Sequence, residues 1–263
     1  MVLNMEIVSD RNASEPGRFL EITFTADADQ SEQKYLRLLP HAFNGEEEHD
    51  LIIGLHGHGA DRHQFAAETR AECAAFRDFA RQHRMIAITP DYRATTSWMG
   101  PLAEADMMQI IAALRREFNL RRVFLAGASM GGTSALTFAA LHPETVAGVT
   151  ALNPHANHLE YSNFQDAIAA SFGGAKWQIP LEYKRRSAEY WPEKLAMPVA
   201  LTTGGRDQDV PPASALRLAG ILQRLGRPVL LIHRPDGGHS TTYEDALAAL
   251  AFMLNPVFTP VPP

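Results

Sequence analysis

Gly127-Ala128-Ser129-Met130-Gly131-Gly132 is the stretch that most narrows what this chain can fold into. Ahead of it, the apolar run Val123-Phe124-Leu125-Ala126, bounded by Arg121 and Arg122, reads as a short buried strand. Behind it, residues 133–141 are rich in Ala and Leu and stop at His142-Pro143, the pattern of a helix. A G-x-S-x-G spacing at a strand-to-helix corner builds a sharp turn with the serine hydroxyl at its tip. Glycines are needed around the serine because side chains there would meet neighbouring backbone. The helix N-terminus behind it offers unpaired N–H groups and a positive dipole end where an oxyanion can form. Such a motif also arises by chance, so its meaning depends on its surroundings.

Those surroundings alternate. Strand-like runs at 51–55, 85–89, 123–126, 146–152, 199–203 and 229–232 are interleaved with helical patterns at 64–82, 102–118, 133–141 and 213–225, and a helix over 243–254 comes last. This order predicts an α/β fold: a mostly parallel sheet built from right-handed crossovers, with helices on both faces. Three β-rich pieces at 5–8, 19–25 and 34–39 precede it and predict antiparallel N-terminal edge strands. With 46% hydrophobic and 21% charged residues, the 263-residue chain can bury one large core, and 1–263 reads as one domain. Residues 153–197 break the rhythm. This segment is too long for an ordinary connection and helical in pattern, so we expect a cap-like insertion over the strand ends rather than extra surface helices. The proline-rich tail 256–263 reads as disordered.

The net charge of −6 argues against nucleic acid as a partner, since phosphate binding needs a basic face. The short basic run Lys184-Arg185-Arg186 reads as a solvated helix face. No apolar run approaches the ~20 residues that span a bilayer, which argues against a membrane partner. Residues 1–11 lack the charged and apolar regions of a signal peptide, so a cytoplasmic location is the expectation. Cys73 is the single cysteine and lies in an Ala-rich helical stretch, where it reads as a small buried residue.

A serine elbow needs a base, an acid to orient the base, and oxyanion donors. Gly237-Gly238-His239-Ser240 lies between the last strand and the last helix, where a histidine projects beyond the sheet's C-terminal edge. Gly204-Gly205-Arg206-Asp207-Gln208-Asp209 follows the strand at 199–203, and both Asp207 and Asp209 could reach the imidazole. Asp207 is nearer the strand end, and Asp209 suits a solvated or capping role. His56-Gly57-His58-Gly59 follows the strand at 51–55, and the N–H groups of His58 and Met130 are the candidate oxyanion donors. Trp98 and Met99, in the loop after the strand at 85–89, are candidates to bind substrate or simply to pack. Asn153, His155 and His158, at the mouth of the insertion, are further pocket candidates.

The order Ser129…Asp207…His239, with His56-Gly57 and Val210-Pro211 in register, resembles that of α/β-hydrolase-fold serine hydrolases from Leu51 to Leu254. Asp91-Tyr92-Arg93 is similar to the single-domain branch related to prolyl-oligopeptidase-like and feruloyl or acetyl-xylan esterase sequences. The resemblance implies an α/β-hydrolase fold and hydrolysis of small or carbohydrate carboxylic esters, with no cofactor. Three alternatives stand beside it. A small serine peptidase would share the machinery. A non-catalytic binding module would usually lack the Ser or the His. A metal centre at His56-x-His58-x-x-Asp61-x-His63 has spacing unsuited to one coordination shell.

Overall fold

The computed structural model describes residues 17–256. Eight strands form one sheet: β1 (Phe19–Thr25), β2 (Glu32–Leu38), β3 (His49–Leu55), β4 (Ile86–Pro90), β5 (Leu120–Ala128), β6 (Gly148–Leu152), β7 (Val199–Gly204) and β8 (Val229–Arg234). Their order is β1-β2-β4-β3-β5-β6-β7-β8. β1 pairs antiparallel with β2, and β2 antiparallel with β4; from β4 to β8 every pairing is parallel. The expected antiparallel edge is therefore present, while the strand expected at 5–8 lies outside the described residues. β3, β4 and β6 are buried along their whole length, as central parallel strands covered on both faces must be.

The helices divide between the two faces. On one side α2 (Ala71–Gln82) packs against α8 (Tyr243–Leu254), burying Cys73, Phe76 and Phe79 with Leu250 and Met253. Burial pushes the Cys73 thiol up to about 12, so it is an inert apolar filler. The other side carries α3 (Pro101–Glu117), α4 (Met130–Leu141) and α7 (Ala213–Arg224). Every residue from Met130 to Ala140 is buried, because small Gly, Ala and Ser residues let α4 lie close to β5 and β6 on all sides. None of the described helices is long and apolar enough to cross a membrane.

The helix expected at 64–82 is two helices, α1 (His63–Ala67) and α2. The chain turns extended at Glu68 (ψ 150°) and Arg70 (ψ 146°), and Arg77 holds the corner by donating to the carbonyls of Phe65 and Glu68. Within 153–197 the chain forms α5 (Gln165–Phe172), α6 (Pro180–Arg185) and two 3-10 turns, Ala188–Tyr190 and Pro192–Lys194. The segment is tied down past the strand ends. The Tyr161 hydroxyl donates to the Asp209 carbonyl at 2.7 Å, and Asn163 donates to the carbonyls of Gln208 and Asp209.

The basic run 184–186 departs from expectation. Arg186 is completely buried, not solvated: its guanidinium donates to Met99 O at 2.7 Å, to Glu104 at 2.7 Å and to Glu182 at 2.6 Å. Carbonyl and carboxylate acceptors together replace the water that the charge gives up. Burial would raise the Glu104 carboxyl, but His142 and Arg186 beside it hold it down at about 2.

Candidate active site

Ser129 stands at the corner between β5 and α4 with φ 58° and ψ −122°, a strained conformation for a side-chain-bearing residue. Close packing over-determines it. A Cβ at Gly127 would lie 2.3 Å from Gly131 O, and one at Gly131 would lie 1.9 Å from Leu55 O. The Ser129 N–H donates to Leu152 O at 2.8 Å, which ties the corner to the end of β6. Met130 is the first residue of α4, so its N–H has no acceptor within the helix.

Two loops on the β7–β8 side bring up the partners. Gly205 N donates to Arg234 O at 2.8 Å and Arg206 N to Gly237 O at 2.8 Å, binding the loops after β7 and β8 together through their backbones. Thr242 then caps α8, its hydroxyl accepting from Asp245 N, so the helix begins just beyond His239. His239 Nε2 lies 2.8 Å from Ser129 Oγ, and His239 Nδ1 lies 2.6 Å from Asp207 Oδ2. The Asp207 carboxylate is buried, and its other oxygen accepts from the N–H groups of Asp209 (3.0 Å) and Val210 (2.9 Å). Those bonds satisfy a buried charge and leave Oδ2 aimed at the imidazole. A ring that donates from Nδ1 to a carboxylate presents an unprotonated Nε2 to the serine. Between the two competing acids, Asp207 is the one bonded to His239; Asp209 is exposed and contributes its amide to Asp207.

The turn after β3 faces the elbow. A Cβ at Gly57 would stand 3.6 Å from Ser129 Cβ. Its amides are shared out: Gly57 N–H to the buried Gln64 side chain at 2.7 Å, and Gly59 N–H to Thr95 O at 2.7 Å. Among the described residues, the His58 N–H between them has no protein acceptor. Tyr92 donates to His56 O at 2.6 Å, and the His56 ring sits between the carbonyls of Gly57 and Asp91. Burial lowers the His56 imidazole below its ordinary range. Gln64 and Tyr92 hold this turn in shape; no motif in the sequence singles out Gln64, whereas Tyr92 falls in the Asp91-Tyr92-Arg93 signature.

The pocket candidates are placed differently from one another. Trp98 and Met99 are both 0% exposed, so they present no open surface. The Trp98 indole N–H donates to His58 Nδ1 at 3.2 Å, and its ring packs among His155, His158, Tyr161 and Phe164. Asn153, buried at the end of β6, donates to Thr241, which in turn bonds Thr202 at 2.8 Å. That chain braces the His239 loop against β6 and β7; the sequence offers no cue for Thr202 or Thr241. His155 and His158 are buried rather than open at a mouth, and burial drives both rings down, His158 to about 3.

Ligand atoms of Asp207, Asp209 and His239 lie within 4.8 Å of one another, but two of those groups already face each other in the hydrogen bond above. The stretch 56–63 does not converge. His56 faces backbone carbonyls, His58 faces Trp98, and Asp61 accepts from the backbone N–H of His63.

Comparison with known proteins supplies the family. The model of the prolyl oligopeptidase family matches residues 99–255, more than half of the chain. No curated protein matches the sequence. Among solved structures the fold is similar to FphF, a fluorophosphonate-binding serine hydrolase of Staphylococcus aureus, with TM-score 0.71 and 18% identity over 91% of this chain and 99% of that one. It is similar to a ferulic acid esterase with TM-score 0.66 and 17% identity, covering 89% of this chain and 95% of that one. It is also similar to dipeptidyl peptidase 4 of Porphyromonas gingivalis, with TM-score 0.72 and 13% identity, covering 91% of this chain but 35% of that one. At these identities the likenesses show the fold. The family match itself spans the elbow and the loops that carry Asp207 and His239. The chain has the α/β-hydrolase fold and belongs to the prolyl oligopeptidase family of serine hydrolases.

Proposed function

We propose that this protein hydrolyses carboxylic esters through an acyl-enzyme formed on Ser129. The observation that carries the reading is the unbroken hydrogen-bond chain from Ser129 Oγ through His239 to the buried Asp207. In this reading His239 Nε2 takes the hydroxyl proton as Ser129 Oγ bonds to the ester carbonyl carbon. Asp207 fixes the tautomer and stabilises the imidazolium without itself taking the proton. The N–H groups of His58 and Met130 receive the oxyanion. Collapse of the tetrahedral species breaks the bond to the alkoxy oxygen, which leaves as the alcohol with the proton from His239. Water then gives its proton to His239 and attacks the acyl carbon, and the acid departs as Ser129 regains its proton. The substrates proposed are small esters, including acetylated carbohydrates.

Membership of a peptidase-containing family favours a second reading, cleavage of a small peptide or aminoacyl amide at the same serine. One panel separates the two: p-nitrophenyl esters, acetyl-xylan, methyl ferulate and an aminoacyl p-nitroanilide, run with wild type and Ser129→Ala. Ester turnover that falls by about 10³-fold or more in Ser129→Ala, with the anilide untouched, is the expected result. Equal turnover by both proteins would overturn the assignment of Ser129, and preference for the anilide would replace esterase with peptidase.

A further inference from the structure

The reading of Ser129 as the nucleophile has a consequence for the size of the acyl group. His239 must hand its proton to the leaving oxygen, so the alcohol departs on the side of β7 and β8, where the His239 loop stands. In that reading the oxyanion takes the amides of His58 and Met130. The acyl chain is then left the side where Trp98, in the loop after β4, and Phe164, in the segment after β6, pack on His58.

That direction is walled. Trp98 and Met99 are fully buried there, and His155 and Tyr161 nearly so. Trp98 occupies the centre of the wall, its ring centroid 5.6 Å from His155, 5.7 Å from Tyr161, 5.8 Å from Phe164 and 5.9 Å from His58. The indole N–H is spent on His58 Nδ1, which couples the wall to the residue whose amide is assigned to the oxyanion. Trp98 and Met99 hold φ of 47° and 56°, a region that bulky side chains enter only under constraint. The constraint is visible: the buried Arg186 guanidinium grips Met99 O, and Glu104 and Glu182 grip Arg186. A wall braced by a buried ion cluster is not one that an entering alkyl chain can push aside.

We propose that Trp98 is a specificity-determining plug that limits the acyl group to short aliphatic acids, formyl to propionyl, and excludes long alkanoyl and cinnamoyl groups. Against the plug lie His155, with both ring nitrogens buried and unpartnered, and His158, with Nδ1 likewise. Removing the indole exposes these atoms and opens room for a longer chain.

The test is a chain-length series of p-nitrophenyl esters from acetate to decanoate, together with methyl ferulate, run with wild type, Trp98→Ala and Trp98→Phe. Wild type is expected to lose about 10-fold or more in kcat/KM between acetate and octanoate, the scale on which pockets reject unaccommodated methylenes, and to be equally poor on ferulate. Trp98→Ala should flatten or reverse the series, while Trp98→Phe, which keeps an aromatic plug, should preserve it. Wild type that takes octanoate or ferulate as readily as acetate overturns the proposal, as does a folded Trp98→Ala with an unchanged series. If Trp98→Ala fails to fold, wild type decides alone, by its ester series and by its labelling rates with fluorophosphonates of graded alkyl length. Wild type that turns over no ester and takes no label brings down the functional reading and this inference together; turnover with a long-chain preference brings down this inference only.

Discussion

The two sides of the site are held in place by different forces. Under the elbow, backbone meets backbone: Gly131 against Leu55 O, Ser129 N on Leu152 O, Gly205 N on Arg234 O and Arg206 N on Gly237 O. Across from it, the segment 153–197 is tethered by side chains, Arg186 on Met99 and Glu104 and Tyr161 on Asp209, and braced within itself by Asn157 on Glu189 and His158 N–H on Ser187. The approach of Gly131 to Leu55 O admits only glycine, and the backbone hydrogen bonds fix the loops whatever side chains they carry. Side-chain tethers can be made by many residue pairs, and they set what enters rather than what reacts. The first side should therefore be intolerant in chemistry and the second adjustable in selectivity.

The largest test of that contrast lies on the sheet side. Asp207→Asn keeps the shape of the carboxylate but disfavours the tautomer that leaves Nε2 free, so ester kcat should fall by about 10³-fold or more. Asp209→Asn, which keeps the amide that bonds Asp207, should stay within about threefold of wild type. Steady-state kinetics of the two variants decide the matter; the reverse ranking would move the orienting acid to Asp209.

Stability gives the next largest separation. Gly131→Ala forces a methyl group to 1.9 Å from Leu55 O and has no way to relax without moving β3 from α4, so no folded protein is expected by circular dichroism. Arg186→Met should fold, at a cost of about 3 kcal/mol in urea unfolding, because Glu104 and Glu182 lose their buried partner. Its activity should fall only modestly while its acyl selectivity broadens. A Gly131→Ala protein as stable as wild type would end the distinction between the two sides.

What could be read in advance divides along the same line. The elbow, the acid loop and the histidine loop were legible because each needs small residues at fixed spacing after a strand. The periodic strands and α8 were legible for the same kind of reason: their local patterns agree with their burial. Arg186 was not, because nothing in Lys184-Arg185-Arg186 says that Met99 O and Glu104, from a distant segment, will join Glu182 around one of its charges. Trp98 was ambiguous for want of knowing what lay over it. The break between α1 and α2 carries no glycine or proline, and it is stabilised by Arg77 reaching back from the next helix.

The smallest effect concerns pH and the insertion side alone. The buried rings of His155 and His158 are held neutral in the fold, His158 down to about 3, whereas unfolded histidine titrates near its ordinary value of 6.5. Between those values the unfolded chain binds protons that the folded protein refuses, so stability is full above pH 6.5 and is lost as pH falls toward 3. The slope from His158 rises toward a limit of about 1.4 kcal/mol per pH unit below 6.5, and His155 acts in the same direction. Urea midpoints measured from pH 7 to pH 5 should decline in wild type, and decline less in His158→Phe, which keeps an aromatic ring in the box. Identical slopes would place the acid sensitivity elsewhere.

Intact-mass analysis and peptide mapping after reaction with a fluorophosphonate decide whether Ser129 is the nucleophile. One adduct is expected, carried on Ser129, absent in Ser129→Ala and formed far more slowly in His239→Ala. An adduct on another residue, or an unmodified folded protein after prolonged exposure, would contradict it.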